Sequence, residues 1–336
     1  MLVLDALKGS SDVKHLRLVV TLAFCFAVLL SVAPAHAADK LRVSKSEATT
    51  FAFAFLEVGV KEGFYAKQGI DIETLDLAGA AKAHQALLAG SAEIELGSGV
   101  EMMFIAKGSP TKGVATLAGP PLGFAIMVAK DGGINSVADL KGKLIGISTV
   151  GSLSDWLPTE IARRQGWGSD GIRRVALGSQ DGLTGALLSH NVDGIIGGTQ
   201  TGYRLEQNGS GRILTTFGPL IPDFIAHMIV TSDTFIAAHP DALRRFLAAW
   251  FETVHFAKTH KDETVRDTMP LTRLPPDLAA RLYDEQIAMF SDDGRFQPKA
   301  VAVIKEAIKQ LGELDKLPPD DALYTDAFLP GAPAAH

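Results

Sequence analysis

Six short turns hold the residues whose types suit the capture of a small polar molecule: Ser46-Glu47-Ala48-Thr49-Thr50, Ala78-Gly79-Ala80, Gly97-Ser98-Gly99-Val100-Glu101, Thr149-Val150-Gly151-Ser152-Leu153-Ser154, Gly178-Ser179-Gln180-Asp181 and Gly197-Gly198-Thr199-Gln200. Each falls between an apolar, β-rich run and a helical pattern. Glycine lets a ligand approach the backbone, and serine and threonine hydroxyls add donors beside the free N–H groups of a helix start. That chemistry suits an oxyanion such as a carboxylate or sulfonate. Plain helix capping uses the same residues and is compatible with it. Glu47 and Glu101 sit in two of these turns, where a carboxylate either holds an amine or another cationic group of a ligand or complements a helix dipole. Trp156, just past Ser152 and Ser154, either stacks on a flat ligand as a cleft wall or belongs to the core. Lys45, at the end of the first strand, either pairs an anionic ligand group or is solvated.

Signals for catalysis are absent from the motif content. There is no G-x-G-x-x-G, no Walker A loop, no H-E-x-x-H and no G-x-S-x-G elbow. The histidines show no metal-ligand spacing, and His84, His190, His227 and His255 read as ordinary helix or strand residues. No cofactor and no metal is expected. Asp292-Asp293-Gly294 reads as a turn.

The elements that must position the six turns alternate. Strands are expected at 41–46, 70–77, 94–98, 111–118, 124–130, 144–149, 173–177, 192–197 and 212–217, with helices at 52–67, 80–89, 100–107, 153–165, 182–189 and 202–207 between them. This is the rhythm of βαβ units, an α/β chain with largely parallel sheets. In such sheets ligands sit at the carboxyl ends of the strands, where the six turns lie. The apolar run 224–231 makes a return crossing between two lobes. Beyond it come amphipathic helices at 240–260, 276–290 and 298–311, each opened near a proline.

The 336 residues carry 47% hydrophobic and 21% charged side chains, enough for one large or two medium domains. Net charge is −6 with Lys and Arg dispersed, so there is no footprint for nucleic acid. Near the start, Lys14 and Arg17 precede an apolar run, 18–32, followed by Pro34 and Ala35-His36-Ala37. That order reads as a secretory signal peptide cleaved after Ala37, too short for a membrane span, and places the protein in the periplasm. Cys25 is the one cysteine and lies inside that run, so the processed chain has no thiol for disulfide, nucleophile or metal.

Three stretches together resemble a known group: Glu57-Val58-Gly59-Val60-Lys61-Glu62-Gly63-Phe64-Tyr65-Ala66-Lys67-Gln68-Gly69-Ile70-Asp71, Ala86-Leu87-Leu88-Ala89-Gly90-Ser91-Ala92-Glu93-Ile94, and Ser136-Val137-Ala138-Asp139-Leu140-Lys141-Gly142-Lys143 followed by a strand and Gly151-Ser152. Over 41–261 the chain resembles the periplasmic solute-binding proteins for nitrate, sulfonate and taurine, a group also named for thiamine-pyrimidine synthesis. The resemblance implies a type II binding-protein fold, two α/β lobes, each a mixed, mostly parallel sheet flanked by helices, joined by two crossing strands that hinge. It implies lobe one from 38–126, lobe two from 127–223, and 224–336 returning to complete lobe one. It further implies capture of a small anionic or zwitterionic organic solute for an ABC permease and its ATPase, with contacts at Ser46 to Thr49, Ser98, Gly99, Val100, Gly151 to Ser154, Gln180 and Thr199. A sensor kinase is an alternative recipient of the loaded protein. A secreted enzyme on the same fold, acting on a pyrimidine or sulfur compound, is the alternative function. Gly197-Gly198-Thr199-Gln200 departs from the aromatic or acidic residue that relatives often have there, so the ligand is not inherited.

Overall fold

The computed structural model describes residues 38–312 and 314–332; the expected signal peptide and its cleavage site lie outside them. Residues Asp39–His336 group as one compact unit. The strands are β1 (Asp39–Lys45), β2 (Ile70–Asp76), β3 (Ile94–Gly97), β4 (Thr111–Ala118), β5 (Phe124–Ala129), β6 (Leu144–Ile147), β7 (Arg173–Ala176), β8 (Gly194–Gly198), β9 (Gly211–Thr216) and β10 (His227–Ser232). They form two five-stranded sheets, ordered β2-β1-β3-β10-β4 and β7-β6-β8-β5-β9.

Each sheet is mixed. β1 runs parallel to β2 and β3, while β10 is antiparallel to β3 and β4. In the second sheet β6 is parallel to β7 and β8, and β5 is antiparallel to β8 and β9. The chain therefore leaves the first sheet after β4 through 119–123 and re-enters it at β10 after 217–226, and a strand from beyond the second sheet is built into the middle of the first. Central strands of these sheets are buried on both faces: β5 reads as a continuous apolar run, while β3 carries the buried Glu95 and β10 starts at the buried His227.

Helices α1 (Phe55–Lys61), α2 (Phe64–Lys67), α3 (Ala80–Leu88) and α4 (Met102–Ala106) follow strands of the first sheet; α5 (Leu153–Arg164), α6 (Gln180–Leu188) and α7 (Thr199–Gln207) follow strands of the second. The helix expected over 52–67 is broken at Gly63, whose φ of 77° is left-handed and which a helix interior does not accommodate. After β10 come α8 (Asp233–Ala238), α9 (Pro240–Thr259), α10 (Lys261–Thr272), α11 (Pro276–Gln286), α12 (Pro298–Gly312) and α13 (Asp320–Leu323). α8, α10 and α13 have no counterpart in the sequence reading: two are short, and α10 mixes polar residues with an internal Pro270. One face of the first sheet packs with α1, α9, α10 and α11 around Phe55, Phe246 and Trp250. A second core runs from Val100 and Met228 through α12 to Ile145 and Trp156 and so joins both sheets. Among the described residues no helix is long and apolar enough to cross a membrane.

Candidate functional site

The carboxyl ends of β1, β3, β6 and β8 and the starts of α3, α5 and α6 converge on a partly open cavity of about 60 Å³ between the sheets. At the ~10–15 Å³ a water needs, that is space for roughly four to six waters and hence for a solute of comparable size. From the first sheet's side it is lined by Ser46, Glu47, Thr50, Phe53, Ala80, Ser98, Glu101 and His227; from the second, by Phe124, Ser148, Ser152, Leu153, Ser154, Gln180, Leu183, Ile196, Gly197 and Gly198.

Seven of the residues singled out in the sequence meet here: Ser46, Glu47, Ser98, Glu101, Ser152, Ser154 and Gln180. The other six lie behind them. Thr49 is buried and its Oγ1 donates to Glu47 Oε1 at 3.4 Å. Gly99 and Val100 are core positions under the turn. Gly151 holds a left-handed φ of 79° and accepts the tip of Met103 where a Cβ would stand. Thr199 Oγ1 accepts from Gln286 Nε2 at 2.8 Å. The stacking wall expected of Trp156 is not part of the cavity: its ring lies flat on Phe224, centroids 5.0 Å apart, and its Nε1 donates to Gln310 Oε1 at 3.0 Å. It is the core aromatic of an amphipathic helix. Lys45 likewise serves elsewhere, its ammonium buried in ion pairs with Glu57 and, at 3.0 Å, with Asp76.

Sequence reasoning missed Ser148, Phe53, Phe124 and His227. Ser148 was assigned to a strand that stops one residue short of it. His227 was placed inside a run beginning at 224, whereas β10 begins at His227, the position where a crossing chain enters the sheet beside the cleft. A strand start at a crossing is the signal that would have found it.

The two walls differ in charge. On the second-sheet side Ser148, Ser152 and Ser154 form a triangle of hydroxyls, with Oγ–Oγ distances of 3.1, 2.9 and 2.8 Å, at the start of α5. Ser148 N–H donates to Ser154 Oγ at 2.9 Å and Ser152 Oγ donates to Thr149 O at 2.7 Å, which fixes the cluster. Gln180 Nε2, buried without a partner, adds an N–H donor. A helix start with hydroxyl and amide donors is a seat for an oxyanion.

On the first-sheet side are two carboxyls and an imidazole, and among the described residues no Lys or Arg lines the cavity. Burial raises the Glu47 carboxyl above its usual range, against the backbone N–H groups of Thr49 and Gln180. Burial, reinforced by the neighbouring Glu95 carboxyl, holds Glu101 well above it. Glu101 closes a capping box: its Oε1 accepts from Ser98 N at 2.8 Å and from Ser98 Oγ at 2.9 Å. The carboxyl lies over Gly97, where a Cβ would collide with Oε2. His227, wedged between Phe53 and Phe124 at ring distances of 4.8 and 5.6 Å, is pushed down to about 4 by burial, so its imidazole is neutral; Nδ1 has no partner.

With this geometry in place, residues 50–264, well over half of the chain, match the family model described as NMT1/THI5 like. The chain belongs to the NMT1/THI5-like family. A Haemophilus influenzae protein named for thiamine biosynthesis is 23% identical over 317 residues, covering 85% of this chain and 97% of that relative. Two solved structures of the same architecture are the ligand-binding component of an ABC-type import system from Staphylococcus aureus, with zinc bound, at TM-score 0.73 and 17% identity over 88% of this chain and all of that one, and the alkanesulfonate-binding protein SsuA from Xanthomonas axonopodis bound to MOPS, at TM-score 0.69 and 17% identity over 85% and 98%. At such identities the likeness establishes the fold, which is the periplasmic-binding-protein fold, two α/β lobes with two crossings between them. Among the described residues no cluster of three His, Cys, Asp or Glu could hold a metal like the zinc of the staphylococcal protein.

Proposed function

We propose that this protein is the periplasmic solute-binding component of an ABC importer and that its solute is a small zwitterion. The polarity of the cavity carries the reading: Glu47, Glu101 and neutral His227 on one wall offer acceptors to a cationic or N–H-bearing head, and the serine triangle with Gln180 Nε2 on the other offers donors to an oxyanion. A purely anionic solute would bring further acceptors to a wall of two carboxyls and a neutral imidazole, and no Lys or Arg is among the described lining residues to meet it. The solute-binding proteins that share the fold support the class of function, and the expected signal peptide supports the compartment. The likeness to a protein named for thiamine biosynthesis favours a second reading, an enzyme of that chemistry.

A thermal-shift screen of the purified protein against taurine, β-alanine, isethionate, nitrate and aminopyrimidines separates these readings, since a ligand that binds only the native state raises the midpoint in a saturable way. Taurine or β-alanine should raise it and be recovered unchanged. A shift with nitrate or isethionate alone overturns the zwitterion reading, and conversion of an aminopyrimidine moves the function to the enzyme.

A further inference from the structure

Behind the acidic wall of the cavity runs a chain of buried titratable groups that the binding role does not use. Glu95 of β3 is fully buried, and its Oε2 lies 2.9 Å from Nδ1 of His84 on α3. His84 Nε2 lies 2.8 Å from Ser109 Oγ, a half-buried residue toward the outside. On the other side the Glu101 carboxyl lies over Gly97, two residues from Glu95 and on the same face of β3, so the two carboxyls are neighbours and each is held protonated more readily by burial. Glu95 Oε1 and Glu101 Oε2 are both buried without a hydrogen-bond partner. The path therefore leads from the cavity wall through Glu101, Glu95 and His84 to Ser109.

With Glu101 kept protonated by burial and by the carboxyl beside it, the hydrogen-bond inventory of the path admits two arrangements. In the first, both carboxyls are protonated: Glu101 donates to Glu95, Glu95 donates to His84 Nδ1, and His84 Nε2–H donates to Ser109. In the second, one proton remains on the pair: Glu101 donates to Glu95, His84 Nδ1–H donates to Glu95, and Nε2 accepts from Ser109. Both ring nitrogens of His84 are paired in each. They differ by one proton, and by one negative charge on the carboxyl pair.

We infer that capture of the solute's cationic head is coupled to release of one proton from the Glu95–Glu101 pair through His84 and Ser109 to solvent. This rests on the zwitterion reading of the cavity. In the step, the His84 Nε2–H bond breaks as that proton passes by way of Ser109 to a buffer base, and the Glu95 O–H bond breaks as its proton moves to His84 Nδ1. The electron pair left on Glu95 supplies the negative charge that the arriving ammonium needs. The other titratable groups of this wall are Glu47 and His227, and no Lys or Arg among the described residues forms an ion pair with any of them. Burial raises the Glu95 carboxyl to about 7, which places the exchange near neutral pH. Neither Glu95 nor His84 lines the cavity; the charge that forms on Glu95 acts on the solute through Glu101, which does.

Calorimetric titration with taurine at pH 6, in bis-Tris and in phosphate, counts the protons from the dependence of the binding heat on the ionisation heat of the buffer. Close to one proton should be released per taurine, and affinity should rise about tenfold per pH unit below pH 7 and flatten above it. Isethionate, the same molecule with a hydroxyl in place of the ammonium, should release none. Glu95→Gln should still bind taurine, with an affinity independent of pH. Taurine binding without proton release, or release that persists in Glu95→Gln, overturns the coupling and leaves the binding function standing. Failure of taurine and β-alanine to bind at any pH removes the zwitterion reading itself, and the coupling with it.

Discussion

His227 and Glu95 are neighbours of the same cavity whose burial acts on their charges in opposite senses. His227 is held near 4 in the folded chain against an ordinary 6.5, so between those values the unfolded chain binds the extra proton and stability rises with pH. Glu95 is held near 7 against an ordinary 4.5, so the folded chain binds the extra proton and stability falls as pH rises through 7. Each contribution is of order 3 kcal/mol at its limit, at about 1.4 kcal/mol per pH unit of displacement. Urea unfolding at pH 5 and pH 7 should therefore separate two conservative variants. Relative to the parent, His227→Gln gains stability at pH 5 compared with pH 7, and Glu95→Gln loses it. Two variants with the same sign would mean that one of these groups is solvated in the folded protein.

Helix α5 shows what an element decides that a residue list cannot. Ser152 and Ser154 open it into the cavity, but Trp156, two residues on, turns away from it onto Phe224 and α12. Trp156→Ala should thus behave as a core truncation, lowering unfolding free energy by about 3–5 kcal/mol, with taurine affinity of the folded fraction within twofold of the parent. An affinity loss tenfold or more, with stability held, would return the tryptophan to the cleft. The same distinction explains what the sequence made legible. The strand-helix alternation and the six turns follow from local periodicity and turn chemistry, so β1 to β9 fall within a few residues of their expected places and seven candidate residues share one cavity. Side-chain direction past a turn is set by packing between distant segments, and that is where Trp156, Lys45 and Thr199 departed from their expected roles. The break at Gly63 depends on one left-handed backbone position inside an otherwise helical pattern. Polar helices such as α10 carry too little apolar periodicity to announce themselves.

At the scale of the molecule the cavity exists because two sheets face each other, and the chain between them is short: 119–123 in one direction and 217–226 in the other. Contacts outside the cavity hold the sheets in this relation. Gln200 Nε2 of α7 donates to Thr49 O across the gap at 3.1 Å, both residues buried, and Arg273 reaches Asp181 at 3.5 Å on the outside. An exposed ion pair such as the latter adds little, whereas the buried Gln200 hydrogen bond is worth about 1 kcal/mol. If the lobes swing about the two crossings, that bond is made only in the closed arrangement, and in the open one water satisfies both partners. Gln200 does not line the cavity, so its effect on a solute runs through the closed population alone, and apparent affinity falls in proportion to that population. Gln200→Ala should weaken taurine binding about fivefold, enlarge the radius of gyration of the solute-free protein in small-angle scattering, and return to the parent's compact value when saturated with taurine. Weakened binding with an unchanged solute-free radius would mean that Gln200 acts on the cavity wall through Thr49, and that the two lobes stay closed without help from it.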